Sequence, residues 1–289
     1  MIKKGIILAG GIGTRMSPLT KAVNKQLLPL YDKPLIFYPL SILMLAGIKN
    51  ILLIVNKGQL SQFRRILPEK NNLGIKIEYK EQLKPAGLPQ AFTIGEKFIG
   101  KDNVSLILGD NFFYGQSLTK TLKRNISFKN GAKIFLHPVK NPERYGVATL
   151  NSKKKVIKLV EKPKKTKSNL AVTGLYFFDN KAAKYAKSLK PSKRGEFEII
   201  DLLNIYRKQN NLNAELIGRG GAWLDTGNVK DYYDASNFVS AIESRQGLKI
   251  ACLEEIALNN SWIKEKDIKN SISFYGKCDY SKYLKSLIN

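Results

Sequence analysis

The chain has 289 residues, 43% of them hydrophobic, enough to bury a large core and form one big α/β domain with elaborations. Its 49 Lys and Arg against 23 Asp and Glu leave a formal charge of +26, but the excess is mostly scattered lysine, as at 153–155 and 162–167, with no recognition motif; specific nucleic-acid binding is not expected. No segment reads as a leader or a membrane span, and Cys252 and Cys278 lack metal-ligand spacing, which predicts a soluble cytoplasmic protein with reduced thiols and no zinc centre.

Residues 5–9, GIILA, are an apolar run bounded by glycine, the pattern of a buried strand, and they lead straight into GGIGTR. Gly10, Gly11 and Gly13 let the chain turn tightly and bring backbone N–H groups close to an anion, with Arg15 and Lys25 supplying side-chain charge. The spacing fits neither a P-loop nor a dinucleotide fingerprint: no G-x-x-x-x-G-K-[ST] is present, Met16 stands where a third glycine belongs, and Asn56 rather than an acid follows the second strand.

Residues 35–46 place Ile36, Leu40, Leu43 and Met44 on a buried face and stop at Gly47, predicting a helix closed by a glycine. Strands are predicted over 51–55, 75–79 and 104–108, with a helix over 89–98 between the last two. Extended segments follow at 132–139, 145–150, 156–159 and 172–178, then helices at 181–188, 197–208 and 229–246. From 248 onward the pattern is short polar helices. The alternation predicts a Rossmann-like open sheet, mixed but mostly parallel, flanked by helices, with a small helical elaboration at the C-terminus.

In such a sheet, ligands bind beyond the carboxyl ends of the strands, which gathers residues 10–15, 82–87 and Asp110 on one rim. Asp110, in LGDN at a strand end, suits a magnesium ion held by one or two carboxylates and phosphate oxygens. Asp225, in AWLDTG beyond an extended segment at 215–217, is the second candidate ligand; Trp223 beside it reads equally as core or as a platform under a sugar. The sole histidine, His137, sits in an apolar run and reads as a strand residue, so no Ser-His-Asp site is expected.

The segment GIILAGGIGTRMSPLTKAVNKQLLPL resembles the signature of sugar-nucleotidylyltransferases, which join a nucleoside triphosphate to a sugar 1-phosphate. The pieces LPLYDKPLIFYPLSILMLAGI, LGDNFFYG, PERYGV, EKP, SNLAVTGLYFFD, KPSKRGEFEI and AWLDTG are similar, in order and over nearly the whole chain, to those of bacterial glucose-1-phosphate thymidylyltransferases. The resemblance implies Mg²⁺-dependent, in-line attack of glucose 1-phosphate on dTTP, giving dTDP-glucose and pyrophosphate for deoxysugar synthesis such as dTDP-rhamnose. It implies a core over 1–247, with a nucleotide-binding half to about 130 and a sugar-phosphate half over 131–247, and an elaboration over 248–289.

Carried over residue by residue, Gly10, Gly11, Gly13, Thr14, Arg15 and Asp110 would bind the nucleotide, with Gln82 and Gly87 on the pyrimidine. Asn111, Gly146, Glu161, Lys162, Val172, Thr173, Arg194 and Trp223 would bind the sugar phosphate. Arg15, Lys25, Asp110, Lys162 and Asp225 would be catalytic, with Asp110 and Asp225 on the metal. The chemistry agrees, since a phosphate monoester wants fixed cations and sugar hydroxyls want a carboxylate. The resemblance further implies a homotetramer with a second nucleotide site at a subunit interface, for which Tyr114, Gly115 and Arg219 are candidates. The chain departs from the pattern at Ile12, where Ser is common, at Ala86, where an acid is common, and at Pro89, in place of a small residue. A UTP-dependent enzyme would use the same machinery, and a regulatory or nucleic-acid-binding relative could keep the fold without turnover; the joint presence of the five catalytic candidates argues against the latter.

Overall fold

Among the described residues, thirteen strands appear in chain order: β1 (Lys4–Ala9), β2 (Pro29–Leu30), β3 (Lys33–Pro34), β4 (Asn50–Asn56), β5 (Lys76–Gln82), β6 (Val104–Leu108), β7 (Asn111–Gly115), β8 (Ala132–Pro138), β9 (Gly146–Leu150), β10 (Val156–Glu161), β11 (Leu170–Phe178), β12 (Leu212–Leu216) and β13 (Gly221–Asp225). This is a computed structural model, which describes residues 1–11 and 13–289; Ile12 lies outside the described residues. The helices are α1 (Phe37–Leu45), α2 (Leu60–Ile66), α3 (Gln90–Ile94), α4 (Glu96–Ile99), α5 (Leu118–Asn125), α6 (Ala182–Lys187), α7 (Ile199–Lys208), α8 (Val229–Gln246), α9 (Leu253–Asn259), α10 (Glu265–Tyr275) and α11 (Asp279–Ser286).

The main sheet runs β10-β9-β11-β6-β1-β4-β5, with β8 paired to β11 and β12 to β8. Strands β6, β1, β4 and β5 are parallel; β1, β4 and β6 are mostly apolar and buried on both faces, as crossover helices require, while the edge strand β5 is largely polar and half-exposed. Strand β11 is antiparallel to β6, so the sheet is mixed. Its register along β8 shifts between Val172 and Tyr176. That irregularity sits beside the site.

One face of the sheet packs on α1, α5 and the C-terminal helices α9–α11; the other packs on α3, α6 and α7. Helix α1 is buried on every side rather than on one face, because the sheet lies beneath it and α9 above it. Gly47 follows it at φ +86°, the left-handed closure expected of that glycine. The segment expected as one helix at 89–98 is two short helices meeting at Gly95, and α2 and α5 were not legible as separate elements.

The larger departure is a two-stranded ribbon, β7 against β13, outside the main sheet. Phe112, Tyr114 and Leu224 turn to a cluster with Tyr38 and Phe238 of α8, while Phe113 and Trp223 turn to the main core. Asp225 therefore does not follow the strand at 215–217. It ends β13, directly opposite Asn111.

Candidate active site

A cavity of about 410 Å³ opens at the carboxyl ends of β1 and β6 and extends under β9, β10 and β11. Its lining includes Gly10, Gly11, Arg15, Gln82 and Gly87, then Asp110, Asn111, Trp223 and Asp225, and Gly146, Glu161, Lys162, Val172 and Arg194. Its size falls in the usual range for small-molecule sites.

The glycine loop is held by side chains that imitate a neighbouring strand. Gly11 N–H donates to Asn56 Oδ1 at 2.9 Å, and Asn56 Nδ2 donates back to Gly11 O at 2.9 Å. The Gly11 N–H offered to an anion by the loop reading is thus engaged by Asn56. A Cβ on Gly10 would overlap Gln82 Oε1, so only glycine lets the loop lie against that amide. Gln82 is itself buried and donates Nε2 to Gln90 Oε1 at 2.5 Å, an oxygen that also accepts from Ala86 N–H. Gly87, at φ +109°, lies so close to the Phe197 carbonyl that any Cβ would collide with it.

The cations differ in placement. Lys25, 6% exposed, donates Nζ to Asp110 Oδ2 at 2.6 Å and lies behind that carboxylate rather than in the cavity wall. Burial alone would raise the Asp110 carboxyl, but the Lys25 charge and hydrogen bond, with a further bond from Asn111 Nδ2, outweigh it and hold the group below the ordinary range. Among the described residues, Asp225 has no such partner. Burial first, and then the Asp110 charge, push it up to about 6 against the pull of Lys25, Arg15 and Arg144. A Cβ built on Gly227 would be 3.2 Å from both Asp225 oxygens and 3.4 Å from Arg15 Nη2, so the exposed Arg15 guanidinium stands beside this carboxylate.

Elsewhere in the lining, Arg194 reaches Glu161 at 3.4 Å, Glu196 at 3.1 Å and Glu198 at 3.6 Å, and Lys162 lies 4.0 Å from Glu161. Burial and the Glu198 charge raise the Glu161 carboxyl despite these two cations. Lys162 has φ +42°, a left-handed backbone that costs a non-glycine residue ~1–2 kcal/mol; its N–H donates to Tyr145 O at 3.0 Å in that conformation.

Several expected residues stand apart from the cavity. Thr14 is exposed beyond Gly13; Gly13 O accepts from the Thr20 hydroxyl at 2.7 Å. Thr173 is buried on the opposite face of β11 and donates its hydroxyl to Phe135 O at 2.9 Å. Tyr114 packs on Phe238, and Gly115 and Arg219 lie with it outside the cavity walls. Conversely, Gln26 was not anticipated, although it is buried in the wall with Oε1 unpartnered among the described residues. Arg144, Tyr145 and Glu198 also line the cavity. A buried amide next to Lys25 was the only available signal for Gln26, and a sequence does not disclose burial.

A family model for nucleotidyl transferases matches residues 4–242. The chain is 51% identical over 285 residues to the glucose-1-phosphate thymidylyltransferase of Neisseria meningitidis, covering 99% of each, and 47% identical over 286 residues to that of Mycolicibacterium smegmatis, again over 99% of each. Among solved structures, it is similar to a Bacillus anthracis protein described as a glucose-1-phosphate thymidylyltransferase, crystallised with sucrose, at a TM-score of 0.75 and 39% identity, covering 81% of this chain and 94% of that one. A UDP-glucose pyrophosphorylase bound to UDP-glucose shares the fold at a TM-score of 0.73 and 27% identity, covering 85% of this chain and 100% of that one.

Proposed function

The chain belongs to the nucleotidyl transferase family, and from that premise we propose that it acts as a glucose-1-phosphate thymidylyltransferase, joining dTTP to glucose 1-phosphate with release of pyrophosphate. The observation that carries this reading is a single cavity lined by Arg15 and the Lys25-paired Asp110 together with Lys162, Arg194 and Glu161.

Both substrates are anionic, so the work of the site is charge neutralisation and alignment. Arg15 would meet the triphosphate and the departing pyrophosphate, with Lys25 supplying charge from behind Asp110. Lys162 and Arg194 would hold the attacking phosphate, and Glu161 would accept from sugar hydroxyls. Gln82 and the Gly87 backbone would face the pyrimidine. No side chain here is needed as a covalent nucleophile, because the phosphate oxygen of the sugar attacks the α-phosphorus directly.

Asp110 and Asp225 fit a Mg²⁺ ion. Burial, and then the Asp110 charge, raise Asp225; the donors are all oxygen, and a divalent cation would relieve the repulsion while leaving coordination positions for phosphate. Bound there, Mg²⁺ would neutralise phosphate charge. The same reading takes the protein as a cytoplasmic homotetramer supplying dTDP-glucose for deoxysugar synthesis, with a second nucleotide site near Tyr114, Gly115 and Arg219. No helix among the described residues is long and apolar enough to cross a membrane.

The test is pyrophosphate release across a matrix of nucleoside triphosphates and sugar 1-phosphates. dTTP with glucose 1-phosphate should give the highest kcat/KM. UTP should be poorer by only the ~1–3 kcal/mol that one methyl contact supplies. A preference for a purine triphosphate would overturn the reading.

A further inference from the structure

Behind Asp110 lies a buried hydrogen-bond chain that the proposed reaction does not use. Trp223, on β13, donates its indole N–H to Asn111 Oδ1 at 2.6 Å, across 112 residues of sequence. The same oxygen accepts the Gly174 N–H at 3.0 Å, inside the stretch where β11 changes register. With two donors on Oδ1, the carboxamide has one orientation, and its Nδ2 donates to Asp110 Oδ1 at 3.1 Å. Asp110 Oδ2 takes Lys25 Nζ at 2.6 Å. Each carboxylate oxygen is therefore gripped once, and one grip is set by an indole that does not touch the carboxylate.

The surroundings show a built arrangement. A Cβ at Gly174 would stand 2.5 Å from Asn111 Oδ1, so glycine there admits the amide. The Thr226 hydroxyl and N–H both donate to Asp110 O, at 2.8 and 3.2 Å, tying the backbone on the other side. The Trp223 ring stands edge to face with Tyr145 at 5.1 Å and packs near His137 at 6.3 Å. Packing thus holds the ring whether or not its N–H is used.

We propose that Trp223 is a positioning residue: its N–H locks the Asn111 amide, and the locked amide aims the Asp110 carboxylate at the divalent cation and nucleotide phosphates. Without that donor, the Gly174 N–H alone holds the Asn111 oxygen, and the amide's aim at the carboxylate loosens. Groups that orient a metal ligand from behind are commonly worth ~10- to 100-fold in metal affinity or activity when removed.

The kinetic arm of the test rests on the proposed function; the spectroscopic arm does not. Trp223→Phe keeps an aromatic ring and deletes only the donor. It should lower kcat about 10-fold and raise the Mg²⁺ concentration for half-maximal rate about 10-fold, with KM for glucose 1-phosphate changed less than about twofold. On an Asn111→Ala background, it should add almost nothing. The chain has only two tryptophans, so the indole ¹H–¹⁵N spectrum holds two signals. The Trp223 signal should lie far downfield, move upfield in Asn111→Ala, and shift again when MgCl₂ is titrated with dTTP. If Trp223→Phe does not fold, the Asn111→Ala spectrum and the Mg²⁺ titration of the wild type still decide the matter. A higher sugar KM with an unchanged Mg²⁺ requirement, additive double-mutant effects, or an indole signal indifferent to both Asn111 and Mg²⁺ would overturn the proposal. Absence of turnover with every substrate pair, alongside the expected spectra, would instead defeat the functional reading.

Discussion

Asp110 and Asp225 share one rim, yet the same substitution should shift stability in opposite directions. Asp225 is held at about 6 against an ordinary 3.8. Below pH 4 the group is neutral in both folded and unfolded chains and has no effect. As pH rises through 4 to 6, the unfolded chain ionises first, and stability is lost; above about 6 the loss is complete. At ~1.4 kcal/mol per pH unit, the gap between 3.8 and about 6 amounts to about 3 kcal/mol. Asp225→Asn removes that penalty, so in EDTA at pH 8 the variant should be more stable by up to about 3 kcal/mol, and the difference should vanish near pH 4. Asp110 behaves in reverse. Held below its ordinary value, it contributes stability that is present above pH 4 and lost as pH falls through its folded value. Asp110→Asn strands the buried Lys25 ammonium, a change worth ~3–5 kcal/mol of destabilisation in a fully buried pair and less here, where Asp110 is 24% exposed. Thermal unfolding from pH 4 to 8 measures the Asp225 effect, and its continuation below pH 4 measures the loss at Asp110. A destabilised Asp225→Asn at pH 8, or a difference independent of pH, would refute the electrostatic account, and both variants should lose most of their kcat.

Arg15→Ala should cut kcat by roughly 10²-fold with little change in KM for glucose 1-phosphate, while Lys162→Ala should raise that KM by ~10- to 100-fold; steady-state kinetics showing the reverse would exchange the two ends of the site. Gly87→Ala forces a side chain into a left-handed backbone and against the Phe197 carbonyl, so melting temperature should fall by the equivalent of ~1–3 kcal/mol and KM for dTTP should rise. Titration with DNA at increasing salt should show weak binding that fades steeply, since the lysines are scattered; tight, sequence-dependent binding at physiological salt would contradict this.

Residue types and local spacing were enough for much of the chain. GIILA followed by glycines reads as a strand opening into a turn because both signals are local, and the predicted helix at 229–246 coincides with α8, bounded by the Asn228 cap and Gly247. Thr173 shows where motif reading falls short of strand geometry. VTG marked Val172 and Thr173 alike, but a strand alternates its faces, so Val172 and Gly174 meet the cavity and the Thr173 hydroxyl meets the core.

The sequence by itself determined the charged and glycine residues that a phosphate-transfer site requires, and the parallel strands whose ends gather them, because composition and periodicity act within a few residues. Only the tertiary structure decided how they meet. The ribbon β7–β13 has glycine where a strand signal should begin, and its pairing is set by Phe112 and Leu224 packing near α8, so no local pattern announces that Asp225 lies opposite Asn111. The left-handed backbone of Lys162, the burial of Lys25 and Gln26, and the clasp of Asn56 on Gly11 arise from the same cause. Periodicity states that a face is buried, whereas its partner is chosen by packing among segments far apart in the chain.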